Sequence, residues 1–191
     1  MPHPANSFSA RGFGAAAPWL DLANSELLDG FGHATECLDD PQWLRAFGKH
    51  WKLRESFEAP AAQKGLRALR ALLRRLVEKN AARGSLSSGD IARLNAWLKV
   101  PVFPRVVENQ NGLAVDLQPA QIGWKAELAG IARSFADSLV RGPQGRLKIC
   151  ANAECAWVFV DRTKGNVRRW CNDATCGNRD RVRRSRAARK N

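Results

Sequence analysis

The sequence predicts a mainly α fold: an orthogonal helical N-terminal domain with one antiparallel β-hairpin, then a small C-terminal four-cysteine module made of a hairpin and a helix. Three observations carry this expectation. Apolar residues recur every three or four positions over most of the first 140 residues, they alternate only between 102 and 117, and four of the five cysteines cluster in 150–176. At 191 residues and 45% hydrophobic content, the chain is long and apolar enough to bury a core.

Residues 1–17, rich in Ala, Gly, Pro and Ser, read as a disordered tail, and the helical domain as 18–141. Leu20, Leu22, Leu27 and Leu28 suggest a first helix broken at Gly30–Gly32. Asp39 or Asp40 can cap the next helix, with Pro41 in its first turn and Trp43, Leu44, Phe47 and Trp51 at helical spacing. The longest regular pattern is 61–80, where Leu66, Leu69, Leu72, Leu73, Leu76 and Val77 share one face. Ser87 or Ser88 opens a helix carrying Ile91, Leu94 and Leu98, stopped before Pro101. From Val102 the period becomes two, and Leu113, Val115 and Leu117 alternate after the Asn109–Gly112 turn, as in a hairpin. A last helix, 121–140, places Leu128, Ile131, Phe135 and Leu139 together before Gly142 and Pro143 form a linker. All of these apolar stripes are read as core.

Charge is uneven. The formal net charge is +13, and residues 141–191 hold 14 Lys or Arg against 4 Asp or Glu, leaving only +3 for the first 140 residues. Such asymmetry points to a polyanionic partner if the basic segment is folded, and to a solvated tail if it is not. The cysteines decide for folding. Cys150, Cys155, Cys171 and Cys176 form two C-x4-C pairs separated by fifteen residues, a pattern that suits one structural Zn2+ per chain held by four thiolates. Disulfides would need an oxidising compartment, which nothing indicates. Cys37 lies apart and reads as a buried, inert thiol.

Within the module (144–191), Leu147–Ile149 and Trp157–Val160 read as short strands around the first pair, and Asp161–Asn166 as a polar turn. Asp173 can cap a helix whose first turn contains Cys176 and whose continuation runs from Arg179 to Lys190. Trp157, Phe159 and Trp170 are expected to pack around the metal site.

The run CANAECAWVFVDRTKGNVRRWCNDATCGNRDRVRRSRAARK resembles the CGNR zinc finger, whose motif stands here as Cys176-Gly177-Asn178-Arg179. The aromatic strand from Trp157 to Asp161 and the segment Arg168-Arg169-Trp170-Cys171 match that family too. Upstream, Trp19-Leu20-Asp21-Leu22-Ala23-Asn24-Ser25 resembles the opening of the companion ABATE domain. The resemblance implies a bacterial, stress-linked transcription regulator with a sensory N-terminal domain.

The residues support the nucleic-acid half of that expectation independently. Arg179, Arg183, Arg186 and Lys190 lie at i, i+4, i+7 and i+11, flanked by Arg181 and Arg184. With Arg168 and Arg169 they are the candidate contacts to phosphates or guanine edges. Duplex DNA is favoured over RNA by the resemblance alone. Enzymatic chemistry is not expected: His3, His33 and His50 form no catalytic constellation, and four thiolates leave zinc no open position. Asp21 and Asn24, one helical turn apart, either line a pocket for an unknown small-molecule effector or join a local polar network. The alternative function is a protein-interaction or ligand-binding module whose finger is purely structural. No apolar stretch suggests a membrane span, and no secretory signal is evident at the N-terminus, so a cytoplasmic location is expected. Oligomeric state is not encoded legibly.

Overall fold

The computed structural model describes residues 17–28, 33–82, 84–109, 112–141 and 145–189. The expected tail up to residue 16, the Gly30–Gly32 break, the Gly142–Pro143 linker and Lys190 lie outside these residues.

Helix α1 (Pro18–Ala23) opens on a proline and buries Trp19 and Leu22. Trp19 packs edge-on against Phe135 at 5.1 Å between ring centroids and donates from Nε1 to Ser138 Oγ at 2.9 Å. The helix ends at Asn24, earlier than the leucine pattern suggested. Leu27 and Leu28 belong instead to strand β1 (Glu26–Leu28), which pairs antiparallel with β2 (Ala34–Glu36). Among the described residues, the helical domain therefore has two antiparallel strand pairs where one hairpin was expected. Three-residue strands are too short to display an alternation.

A 3-10 turn (Cys37–Asp39) leads into α2 (Pro41–His50), capped by Asp40, whose side chain accepts from Gln42 N at 2.8 Å. Helix α3 (Pro60–Ala81) is the central post: it buries Leu66, Leu69, Leu72, Leu73, Leu76 and Val77 along one face. Its arginines are not merely solvated. Arg70 makes a bidentate pair with Glu36 and bonds Ser25 Oγ at 3.0 Å, which ties the β1–β2 hairpin to α3. Helix α4 (Ser88–Trp97) starts with a reciprocal capping box between Ser87 and Asp90. It buries Leu94, but Ile91 is exposed, contrary to its expected place in the core.

Strands β3 (Val102–Asn109) and β4 (Gly112–Pro119) form the long hairpin. Here too the core expectation fails. The register puts Pro104 opposite Leu117 and Val106 opposite Val115 on one face, yet Val106 is 66% and Val115 67% exposed. The ribbon is tied down at its base, where Ala120 N donates to Pro101 O and Arg54 bonds Gln118. Helix α5 (Trp124–Arg141) then returns across α1, α3 and α4, burying Leu128, Ile131 and Phe135.

The C-terminal hairpin, β5 (Leu147–Ile149) with β6 (Val158–Val160), does not stand apart from this domain. Leu147 and Val158 are almost fully buried within the same apolar cluster as the leucines of α3. Among the described residues, no helix is long and apolar enough to cross a membrane.

Candidate metal centre and basic helix

Strands β5 and β6 bring the first cysteine pair together. Cys150 N donates to Trp157 O at 2.8 Å, and the intervening loop closes with Cys155 N and Ala156 N both donating to Asn152 O. Ala156 completes the reversal with a left-handed φ of 45°, a conformation glycine adopts without steric cost. The second pair approaches from the other side: Ala151 N donates to Arg169 O at 2.8 Å, fixing Trp170 and Cys171 beside the first loop. All four sulfurs lie within 4.8 Å of one another. The separations are 3.7 Å for Cys155–Cys171 and 3.8 Å for Cys171–Cys176. Four thiolates about 2.3 Å from a tetrahedral ion sit about 3.8 Å apart. The donor set therefore fits a metal and is far from disulfide geometry. Cys150, Cys155 and Cys176 are buried, shielded by Trp157 and Trp170. Phe159 departs from the expected shield: it lies outside this cluster, with the Arg168 guanidinium 5.0 Å above its ring. Cys37 is buried elsewhere, its thiol pushed up to about 12 by burial and by Glu36 and Asp40, and is unsuited to act as a thiolate.

Asp161 organises the turn between the pairs. Its fully buried carboxylate accepts from Lys148 Nζ at 2.8 Å, from Thr163 N and Oγ1, and from Arg168 N at 2.8 Å. Burial opposes its charge, but these donors outweigh burial and hold the carboxyl well below the usual range. Lys148 also donates to Asn166 O and Arg168 O, so one buried ion pair sets the path from Asp161 to Arg168. Arg168 is drawn inward as well, donating to Cys171 O. Of the arginines assigned to nucleic acid from sequence, Arg168 thus braces the finger, while Arg169 is exposed and stacks on Trp170 at 5.1 Å.

Cys176 arrives on a wide turn, Asp173–Gly177, in which Cys176 N and Gly177 N both donate to Asn172 O. The cap is Asn172, accepting from Thr175 N at 3.2 Å, rather than the expected Asp173. Gly177 leaves room for its neighbours: a Cβ there would sit 2.4 Å from Asp173 Oδ1, displacing that exposed carboxylate, and 3.3 Å from the Trp170 ring. Helix α6 (Asn178–Ala188) follows without a break, so its first turn is fastened to the metal site. None of its residues is buried. Arg181 pairs with Asp173, and Arg183 and Arg184 share Asp180. Arg179, Arg183 and Arg186 border a cleft of about 350 Å³ against Asn152 and Glu154 of the first cysteine loop.

Of the Asp21–Asn24 pair, Asn24 connects the two halves. Asn24, 2% exposed, accepts from Val158 N at 2.7 Å and donates from Nδ2 to Val158 O at 2.9 Å, so its amide pairs with β6 as a neighbouring strand would. Asp21 accepts from Trp51 Nε1 at 2.8 Å, and burial raises its pKa to about 6 against the lowering effect of that bond. Each side chain is thus satisfied by its own partner, Asp21 by Trp51 and Asn24 by Val158. Arg74 of α3, which sequence reasoning passed over, donates to Ala23 O at 2.9 Å and to Ala156 O at 3.0 Å, and so joins α1 to the first cysteine loop.

A four-cysteine cluster, three of its members buried, between a short hairpin and a helix defines a zinc-finger protein. Residues 146–189 match the family model of the CGNR zinc finger, and residues 16–143 match ABATE, described as "Putative stress-induced transcription regulator". The chain belongs to the ABATE family and carries a CGNR zinc finger at its C-terminal end. No curated protein matches it significantly.

Proposed function

We propose that this protein is a cytoplasmic, stress-linked transcription regulator that binds duplex DNA through α6, with its helical domain acting as a sensor rather than a catalyst. One Zn2+ per chain, held by Cys150, Cys155, Cys171 and Cys176, supplies the fixed base from which the helix projects. The observation that carries the reading is α6 itself: 11 residues with five arginines, none buried, anchored through Cys176. At 1.5 Å per residue it is about 17 Å long, enough to cross a major groove about 12 Å wide. Arg169, Arg181, Arg183, Arg184 and Arg186 are exposed and suited to phosphates, while Arg179 is half-buried beside the cleft nearest the metal.

The test is fluorescence anisotropy of the full zinc-loaded chain with duplex DNA, duplex RNA and an acidic polypeptide, each with the others as competitor. DNA binding that unrelated duplex displaces and polyglutamate does not is the expected result. Preferential binding of the polypeptide overturns the reading in favour of a protein-interaction module.

A further inference from the structure

On the helical domain, α3, α4 and the start of α5 leave an open cleft of about 730 Å³, a size that accommodates a drug-sized ligand. Small residues create it: Gly65, Ala68 and Ala96 form its floor. Gly65 is indispensable to its shape, because a Cβ there would come 2.9 Å from Trp124 Cζ3 and 2.7 Å from Leu128 Cδ1. The Trp124 ring is thereby laid against the backbone of α3 as one wall, and half-buried Trp97 forms the other. Three exposed lysines, Lys64, Lys99 and Lys125, stand around the opening, and no Asp or Glu lines it among the described residues. Lys125 Nζ lies 5.6 Å from the Trp124 ring centroid, so one ammonium already sits at the aromatic wall. A second cleft continues past Ala68 and Trp97 to Ala71 and Leu72, with Arg75 and Arg93 at its border, leaving room for a longer body.

We propose that this cleft binds a small amphipathic carboxylate, its aromatic or alkyl body between Trp97 and Trp124 and its carboxylate among Lys64, Lys99 and Lys125. Two aromatic walls select an apolar body, and three cations without a counter-charge select an anionic head. The location suits an effector. Gly65 lies nine residues before Arg74, about 14 Å along the same helix, and Arg74 holds the first cysteine loop through Ala156 O. The proposal rests on reading the helical domain as a sensor, but its test needs no DNA, so failure of ligand binding and failure of DNA binding are distinguishable.

The experiment titrates the full zinc-loaded chain with dodecanoate and 1-naphthaleneacetate, each paired with its uncharged alcohol, by calorimetry and tryptophan fluorescence. At least one carboxylate should bind at a single site with its alcohol at least ten-fold weaker. Ala68→Phe, at an exposed helical position, should fill the cleft and weaken binding at least ten-fold at an unchanged Tm. The Lys99→Gln, Lys125→Gln double variant should weaken the carboxylate at least five-fold and leave the alcohol unaffected. Equal binding of acid and alcohol, no binding of either acid, or binding unchanged in both variants overturns the proposal. So does a cleft that takes only an acidic peptide helix.

Discussion

Replacing Asn24 by Ala removes the side chain that pairs with Val158 of β6. Asn24 and Val158 are almost completely buried, and the amide makes one bond to Val158 N and one to Val158 O. After the substitution, that N–H and that carbonyl have neither the amide nor bulk water. Each orphaned buried group costs about 1–3 kcal/mol, so the pair costs about 2–6 kcal/mol. For a chain of this size about 3 kcal/mol lowers Tm by about 6–12 °C. Asn24→Asp should do no better, because its second oxygen faces the Val158 carbonyl as an acceptor and brings a charge into the core. Thermal denaturation of the zinc-loaded variants, followed by circular dichroism, checks this. A change in Tm below about 1 °C for Asn24→Ala would refute the assignment of this residue as the clamp between the helical domain and the finger.

Asp21→Asn should stabilise the protein at pH 7 by up to about 3 kcal/mol, since the raised pKa, about 6 against 3.8, means that ionisation is penalised in the folded state. In the parent, stability should rise as pH falls from about 6 towards 4, and urea denaturation of Asp21→Asn should lack that rise. Ala156→Gly relieves a left-handed alanine and should add about 0.5–1 kcal/mol, read as a Tm increase of about 1–4 °C. Chelation, or Cys176→Ser, should destabilise the helical domain together with the finger, because Leu147 and Val158 share its core; scanning calorimetry should show one transition at lower temperature. A finger that melts alone, with the helical transition unmoved, would show that the shared core does not couple them.

The long helices and the metal site were legible because each repeats one signal many times. The leucine stripe of α3 offers six matches to one period, and four cysteines at matched spacing leave few readings other than a metal site. The β1–β2 hairpin was not legible: Leu27 and Leu28 are adjacent, which suits neither period, and the strands are too short to correct the impression. Nor did alternation in β3–β4 reveal whether its apolar face is covered, since a pattern specifies faces and not what packs on them. The attachments between the halves were the least visible. Asn24 meets Val158 across 134 residues of sequence, and Arg74 and Lys148 resemble any solvated cation until their buried acceptors are seen. Arg168 shows the same limit from the opposite side: its charge matched that of the exposed arginines, while its position over Phe159 and beside Cys171 O commits it to the finger.

The central claim is that α6, fastened to a metal site, grips DNA phosphates. The direct measurement is the salt dependence of duplex binding for the parent and for the Arg183→Ala, Arg186→Ala double variant, both zinc-loaded and of equal Tm. Each phosphate contact contributes close to one unit to the slope of log Kobs against log salt, so the double variant should lose about two units and weaken binding to unrelated duplexes alike. An unchanged slope and affinity would contradict the claim and remove α6 as the DNA-contacting surface.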